Sequence, residues 1–267
     1  MPCAARTTVN ISIGSLIFNI LPVNGRLPAK TESELSPFRC GPKRGIKAGF
    51  NFLNTSRIKT GGLVAVKKHK NGYSIKREDF KGFADLKKQE AEYTGARNPY
   101  SINSFLRVLS SIMISRHGGL FVHASGAIIK GHAHIFAGKS GSGKSTVIKN
   151  MSDAVSLGDE IIGLKLTGEG AAAFSTPFGG ELKSPRKNIS VPVAGIYLLK
   201  KSKIEAVEDT NAGYFFSRFL RCVLNFSKEE DYVQGIVDLG AVILKRVPLR
   251  ILKFKIKSNF SSILKEV

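Results

Sequence analysis

The chain has 267 residues, 42% of them apolar, with a formal net charge of +21. That length and apolar share suit a globular protein with a sizeable core, and no stretch approaches the roughly 18 uninterrupted apolar residues of a membrane span. Cys3, Cys40 and Cys222 are scattered without metal-binding spacing, which excludes a disulfide framework and suits a reducing, cytoplasmic setting.

In chain order the first elements read as strands. Val9, Ile11 and Ile13 alternate with polar neighbours, Gly14-Ser15 can turn the chain, and Leu16 to Leu21 can return as a hairpin. The apolar stretch from Ile11 to Val23 is interrupted by Gly14, Asn19 and Pro22 and lacks a small-residue cleavage pattern, so no secretory signal is expected. Ser36 to Gly45 reads as a loop, and Ile46 to Leu53 as a strand. Leu63 to Val66, the turn at Asn71-Gly72 and Tyr73 to Lys76 predict another hairpin, and polar alternate faces predict a half-exposed antiparallel sheet.

A helix is expected from a cap at Ser101 or Asn103, with Ile102, Leu106, Leu109, Ile112 and Met113 on one face, up to Gly118-Gly119. Strands follow at Leu120 to Ile129 and His134 to Ala137, then a glycine-rich loop and a helix from Lys144 to about Met151. Ala154 to Leu157 predicts a strand ending at Gly158-Asp159-Glu160, and Ile161 to Leu166 with Ala171 to Phe174 predicts a hairpin. Val191 to Lys200 reads as a strand buried on both faces. Helices near Asn211 to Phe226 and Lys228 to Leu244, a basic strand at Leu249 to Ile256 and a short C-terminal helix complete the chain.

Gly138-Lys139-Ser140-Gly141-Ser142-Gly143-Lys144-Ser145 matches the P-loop pattern completely, and Thr146 follows it. Glycines let successive backbone N–H groups converge on phosphate oxygens, and the helix that follows adds the positive end of its dipole. Lys144 can reach the β- and γ-phosphates and the Ser145 hydroxyl can join a Mg²⁺ shell, so ATP and Mg²⁺ are the expected cofactors. A strand before the loop and a helix after it are the context this motif requires.

Asp159 and Glu160 close the strand that follows the P-loop helix. Parallel strands joined by a helix bring their carboxyl ends to one edge, which would set Asp159 beside Lys144 and the metal, as metal orienter or proton acceptor. A solvated acidic turn is the plain alternative. His123, in the strand candidate two steps before the loop, is by residue type more often structural than catalytic.

Together, Gly118-Gly119-Leu120-Phe121-Val122-His123-Ala124-Ser125-Gly126, Phe136 to Thr146, Leu157-Gly158-Asp159-Glu160 and Thr176-Pro177-Phe178-Gly179 resemble the C-terminal kinase domain of HPr kinase/phosphorylase. The match runs from about Asn103 to Leu199 and is nearest to the broader bacterial relatives of that domain. The resemblance implies an α/β fold: a P-loop core with a mixed sheet of the HPr kinase/phosphoenolpyruvate carboxykinase type (residues 100–267), preceded by a β-rich region (1–99). It implies that Asp159 is the base activating an acceptor hydroxyl, that His123 lies near the transferred phosphate, and that Glu181 is a remote metal ligand beside Ser145 and Glu160. Glu160 stands where the family usually has aspartate, and the Glu-Ile-Arg-Gly-type signature of true HPr kinases is missing, so HPr is not the expected acceptor.

The expected activity is transfer of a γ-phosphoryl group to a hydroxyl of a protein, peptide or small molecule. A non-catalytic, nucleotide-responsive binding protein and a hydrolytic ATPase remain as alternatives; the acids follow the loop too soon for a motor-type ATPase. The basic residues recur at Lys67, Lys68, Lys70, Lys76 and Arg77, and at Lys245, Arg246, Arg250, Lys253, Lys255 and Lys257, as expected of solvated faces. Such charge is compatible with an acidic partner, and a homo-oligomer is open. Without a helix-turn-helix, zinc-finger or RNP motif, no specific nucleic acid is expected.

Overall fold

The structure, a computed structural model, describes residues 7–53, 61–139, 141–151, 154–180, 187–255 and 264. The chain divides into two compact units, Met1–Met113 with Asn225–Val233 and Ile114–Leu224 with Gln234–Val267. The first contains strands β1 (Val9–Ile13), β2 (Leu16–Pro22), β3 (Ile46–Leu53), β4 (Ala65–His69), β5 (Gly72–Arg77), β6 (Phe80–Asp85) and β7 (Glu90–Ala96), with helix α1 (Ala29–Leu35) between β2 and β3. Helix α2 (Pro99–Ser115) follows. The expected division after residue 99 falls at the start of α2, whereas the two units part near its end.

The first sheet has the order β1-β2-β3-β7-β6-β5-β4. Its expected hairpins form, with Ile13 opposite Leu16 and His69 opposite Gly72. The sheet is largely antiparallel, as expected, with two exceptions: β2 pairs parallel with β3, and β3 parallel with β7. The reason lies in the connections. A helical crossover through α1, a helix the sequence reading did not anticipate, carries β2 to β3, and crossovers permit parallel neighbours where tight turns do not. Phe50, Phe80, Tyr93 and Phe105 form the core, with Tyr93 stacked on Phe50 at 5.0 Å and edge-on to Phe105 at 5.3 Å. Each such ring contributes about 1.5–3 kcal/mol through burial. The alternating apolar face of the strands and the period of α2 therefore converge on one cluster.

The second unit holds β8 (Gly119–Ile129), β9 (His132–Ala137), α3 (Lys144–Lys149), β10 (Val155–Gly158), β11 (Ile161–Leu166), β12 (Ala171–Phe174), β13 (Ser190–Lys201), β14 (Ala206–Asp209), α4 (Ala212–Leu220) and β15 (Leu249–Phe254). Helix α5 (Glu230–Lys245) begins in the segment that belongs to the first unit. Strands β8, β11, β12, β13 and β9 pair in succession, and β9 pairs back onto β8, closing a five-stranded barrel. The mixed α/β architecture and the β-rich first unit are thus both present. β13 runs parallel to β9 and to β15, and its consecutive residues Ile196 and Tyr197 are both fully buried, as expected of a strand covered on two faces. The helix α3 closes one core by burying Val147 and Ile148 with Phe136, Tyr197, Leu252 and Phe254. The C-terminal helix expected after β15 lies outside the described residues, apart from Leu264, which joins that core.

Candidate functional site

β8 organises the site. Its Ala124 pairs with Ala137, the last residue of β9, and on its other edge the Ala124 N–H donates to the Glu160 carbonyl at 3.0 Å. β9 and β10 both run antiparallel to β8, so they share a direction without being neighbours. The glycine-rich loop leaves the end of β9, and Asp159-Glu160 occupy a bend between β10 and β11, both of which pair with β8. The glycine-rich loop and the acids leave β9 and β10 in the same direction, with β8 inserted between the two strands. His123, one residue before Ala124, sits opposite Ile161 and donates its backbone N–H to Cys222 at 2.7 Å.

A cavity of about 570 Å³ opens at this edge, and Lys144, Ser145, Thr146, His123, Asp159 and Glu160 line it. Gly141 and Gly143 also face it, whereas Gly138 and Ser142 line a neighbouring cavity. Ser140 and Glu181, both expected at the site, lie outside the described residues.

Gly143 caps α3 with φ 101°, a left-handed conformation that disfavours any side chain. α3 itself is six residues long, shorter than expected, so its dipole is small and the loop amides and Lys144 carry more of the attraction for an anion. Lys144 is 7% exposed; its ammonium donates to the carbonyls of Gly138 at 2.8 Å and Lys139 at 2.9 Å, which fixes it inside the loop. Burial pushes its pKa down, against smaller opposing pulls from Cys222 and Glu160. From β8, the buried Ser125 hydroxyl donates to the Lys144 carbonyl at 3.3 Å and ties the head of α3 to the strand.

Asp159 is 9% exposed, and its Oδ1 accepts the Gly180 N–H at 2.9 Å. The loop ending at Gly180 is itself held: the Thr176 hydroxyl donates to the Ile161 carbonyl at 2.7 Å, and Phe178 packs edge-on against Phe121 at 5.9 Å. A shaped loop thus orients the carboxylate from behind.

Ser145, Asp159 and Glu160 offer only oxygen donors, the set a small hard cation takes when phosphates and water complete its shell. Among the described residues no group of three or more His, Cys, Asp and Glu side chains could hold a metal unaided.

Sequence reasoning missed Lys201 and Phe254, which also line the cavity. They come from the ends of β13 and β15, which lie opposite each other at Lys201 and Phe254, and no local signal connects those segments to the loop. No protein-family model matches the chain, and no curated protein matches it. Among the described residues no helix is long and apolar enough to cross a membrane.

Proposed function

We propose that the protein is a Mg²⁺-dependent P-loop kinase that transfers the γ-phosphoryl group of ATP to a hydroxyl of a protein, peptide or small molecule. The observation that carries it is the convergence of Lys144, Ser145 and Asp159 on one cavity of about 570 Å³. A core of the HPr kinase/phosphoenolpyruvate carboxykinase type is part of the same proposal. Its support is the order of the His123 strand, the P-loop, the acidic bend and the loop ending at Gly180 around that cavity.

In this function the loop amides and Lys144 hold the phosphates, and Ser145 with Glu160 would hold the metal. Bound Mg²⁺ supplies neutralisation of charge on the β- and γ-phosphate oxygens. Asp159, oriented by the Gly180 N–H, accepts the proton of the acceptor hydroxyl. The acceptor oxygen bonds to the γ-phosphorus, the bond from that phosphorus to the β,γ-bridging oxygen breaks, and the nucleoside diphosphate leaves. His123 lines the same cavity and would contact the transferred group.

The test is incubation with γ-labelled ATP and Mg²⁺, offering free serine and a cell lysate as acceptors, with Lys144→Ala and Asp159→Asn in parallel. Label moving to one acceptor, lost in both variants, is expected. Rapid acceptor-free release of phosphate would make the protein an ATPase, and nucleotide binding without transfer to either acceptor would point to the nucleotide-responsive binding protein.

A further inference from the structure

A second cavity, of about 250 Å³, adjoins the first half of the P-loop. Lys139, Arg218, Arg221, Tyr214 and Cys222 line it, with Leu198 and Leu199 from β13 as an apolar wall. None of its described lining residues is acidic. Among the described residues, no carboxylate pairs with Lys139, Arg218 or Arg221, whereas other cations such as Lys253 have partners. Positive charge left uncompensated in a concave site is a demand for an anion.

The backbone explains why these groups meet. After α4 the chain turns onto β8: the Leu224 N–H donates to the Phe121 carbonyl at 2.8 Å, and the His123 N–H donates to the Cys222 carbonyl at 2.7 Å. This segment pairs along β8 opposite β11, next to the point where β9 releases the P-loop. The last turn of α4 thereby lines the same cavity as Gly138 and Lys139. Arg218 is further preset, because its guanidinium lies 5.1 Å from the centre of the Tyr214 ring one turn earlier. Fork-shaped guanidinium groups beside an ammonium match the geometry of carboxylate and phosphate oxygens.

We propose that this cavity binds an anionic group, carboxylate or phosphate, carried by the acceptor. The assignment rests on the kinase reading of the first cavity, since the two share the P-loop: Lys139 and Ser142 line one, Gly141, Lys144 and Ser145 the other. An acceptor anchored at Lys139, Arg218 and Arg221 would present its hydroxyl across the loop to the phosphates. The enzyme would then discriminate against uncharged hydroxyl compounds, because an empty basic pocket gains nothing from them.

The test is calorimetric titration of the full chain, saturated with Mg²⁺ and a non-hydrolysable ATP analogue, with inorganic phosphate and separately with acetate. We expect saturable binding of at least one anion. The Arg218→Gln/Arg221→Gln pair, at exposed positions, should weaken it about tenfold or more, the value of lost charge-assisted hydrogen bonds. Phosphate alone would identify a phosphorylated acceptor, and acetate binding a carboxylate. Absence of saturable binding, or equal binding by wild type and the double variant, overturns the proposal. Titration of the wild type with the ATP analogue alone, read separately from the anion titration, keeps the two assignments apart. If wild type binds no nucleotide, the kinase reading fails, and with it the link to an acceptor, whatever the anion result.

Discussion

Gly143 and Phe254 meet so closely that a β-carbon on the glycine would lie 2.4 Å from the phenylalanine ring. Gly143 also has φ 101°, so two independent constraints keep the loop free of a side chain there. The ring is fully buried and cannot retreat without opening the core beneath α3. Gly143→Ala should cost about 2–4 kcal/mol, from a strained backbone and an overpacked core together, and weaken nucleotide binding. Adding Phe254→Leu should restore part of the stability, because it relieves the collision but not the backbone strain. Denaturant midpoints of the single and double variants decide it; an alanine variant as stable as wild type would refute the close contact.

Lys144 makes stability depend on alkaline pH in a definite direction. Burial lowers its folded pKa below the ordinary 10.5. Between the lowered value and 10.5 the unfolded chain binds more protons at this site than the folded one, so its contribution to stability rises with pH across that window. Below the window the cost of burying the ammonium is fully present. Lys144→Met should remove this increment and weaken nucleotide binding by about ten- to a hundredfold. Unfolding of both proteins between neutral and alkaline pH measures the difference; parallel curves would mean that Lys144 titrates normally.

Much of this fold is written locally. Ile46 to Leu53, Ile161 to Leu166 and Ala171 to Phe174 are strands with the expected bounds, because alternation and turn residues act over a few positions. The strand and helix that flank the glycine-rich loop are legible for the same reason, being contiguous with it. What escapes is long-range. The helix at Ala29–Leu35 shows only two buried residues, too faint a stripe to read, and the parallel pairing of β2 with β3 depends on it. Arg218 and Arg221 approach Lys139 only because the segment after α4 pairs with β8. Glu181 and Ser140 stay expectations from the sequence.

Gly180 stands behind Asp159. Its N–H donates to Oδ1, and a β-carbon there would lie 2.9 Å from Oδ2. Gly180→Ala should therefore turn the carboxylate away from the cavity, lowering kcat of phosphotransfer about tenfold or more while leaving nucleotide affinity unchanged, as expected for a positioning residue. A fall in affinity with kcat intact would assign Asp159 to nucleotide or metal binding instead.

In the first unit, Arg77 and Asp79 form a bidentate pair at 2.6 and 2.8 Å, with side chains 2% and 0% exposed, and the Ser101 hydroxyl donates to the same carboxylate. Burial pushes the Asp79 pKa up, but hydrogen bonds from Arg77 and Ser101 outweigh it and hold the carboxyl below its usual range. The stabilisation is present above the ordinary carboxylate pKa and lost as pH falls through the lowered one. Asp79→Ala leaves the guanidinium buried and unpaired, which should cost about 3–5 kcal/mol. Chemical denaturation at neutral pH tests this, and a cost under about 1 kcal/mol would show that the pair behaves as a surface one.

His134 should make the second unit acid-sensitive in a different range. It lies in β9, the strand that leads into the glycine-rich loop, is 4% exposed, and its Nδ1 stands 3.0 Å from the Tyr197 hydroxyl. Burial, with a smaller push from His132, lowers its pKa from 6.5 to about 4. Between those values the unfolded chain takes up a proton that the folded protein refuses, so stability is lost as pH falls from 6.5 toward 4. The loss is on the order of 3 kcal/mol. His134→Gln removes the titration while keeping an amide able to reach Tyr197. It should lower stability at pH 7 yet flatten the decline at acid pH relative to wild type. Denaturant midpoints at pH 7 and pH 4.5 give both numbers. An equal acid decline in the two proteins would place the sensitivity on other groups and show His134 to be protonated within the fold.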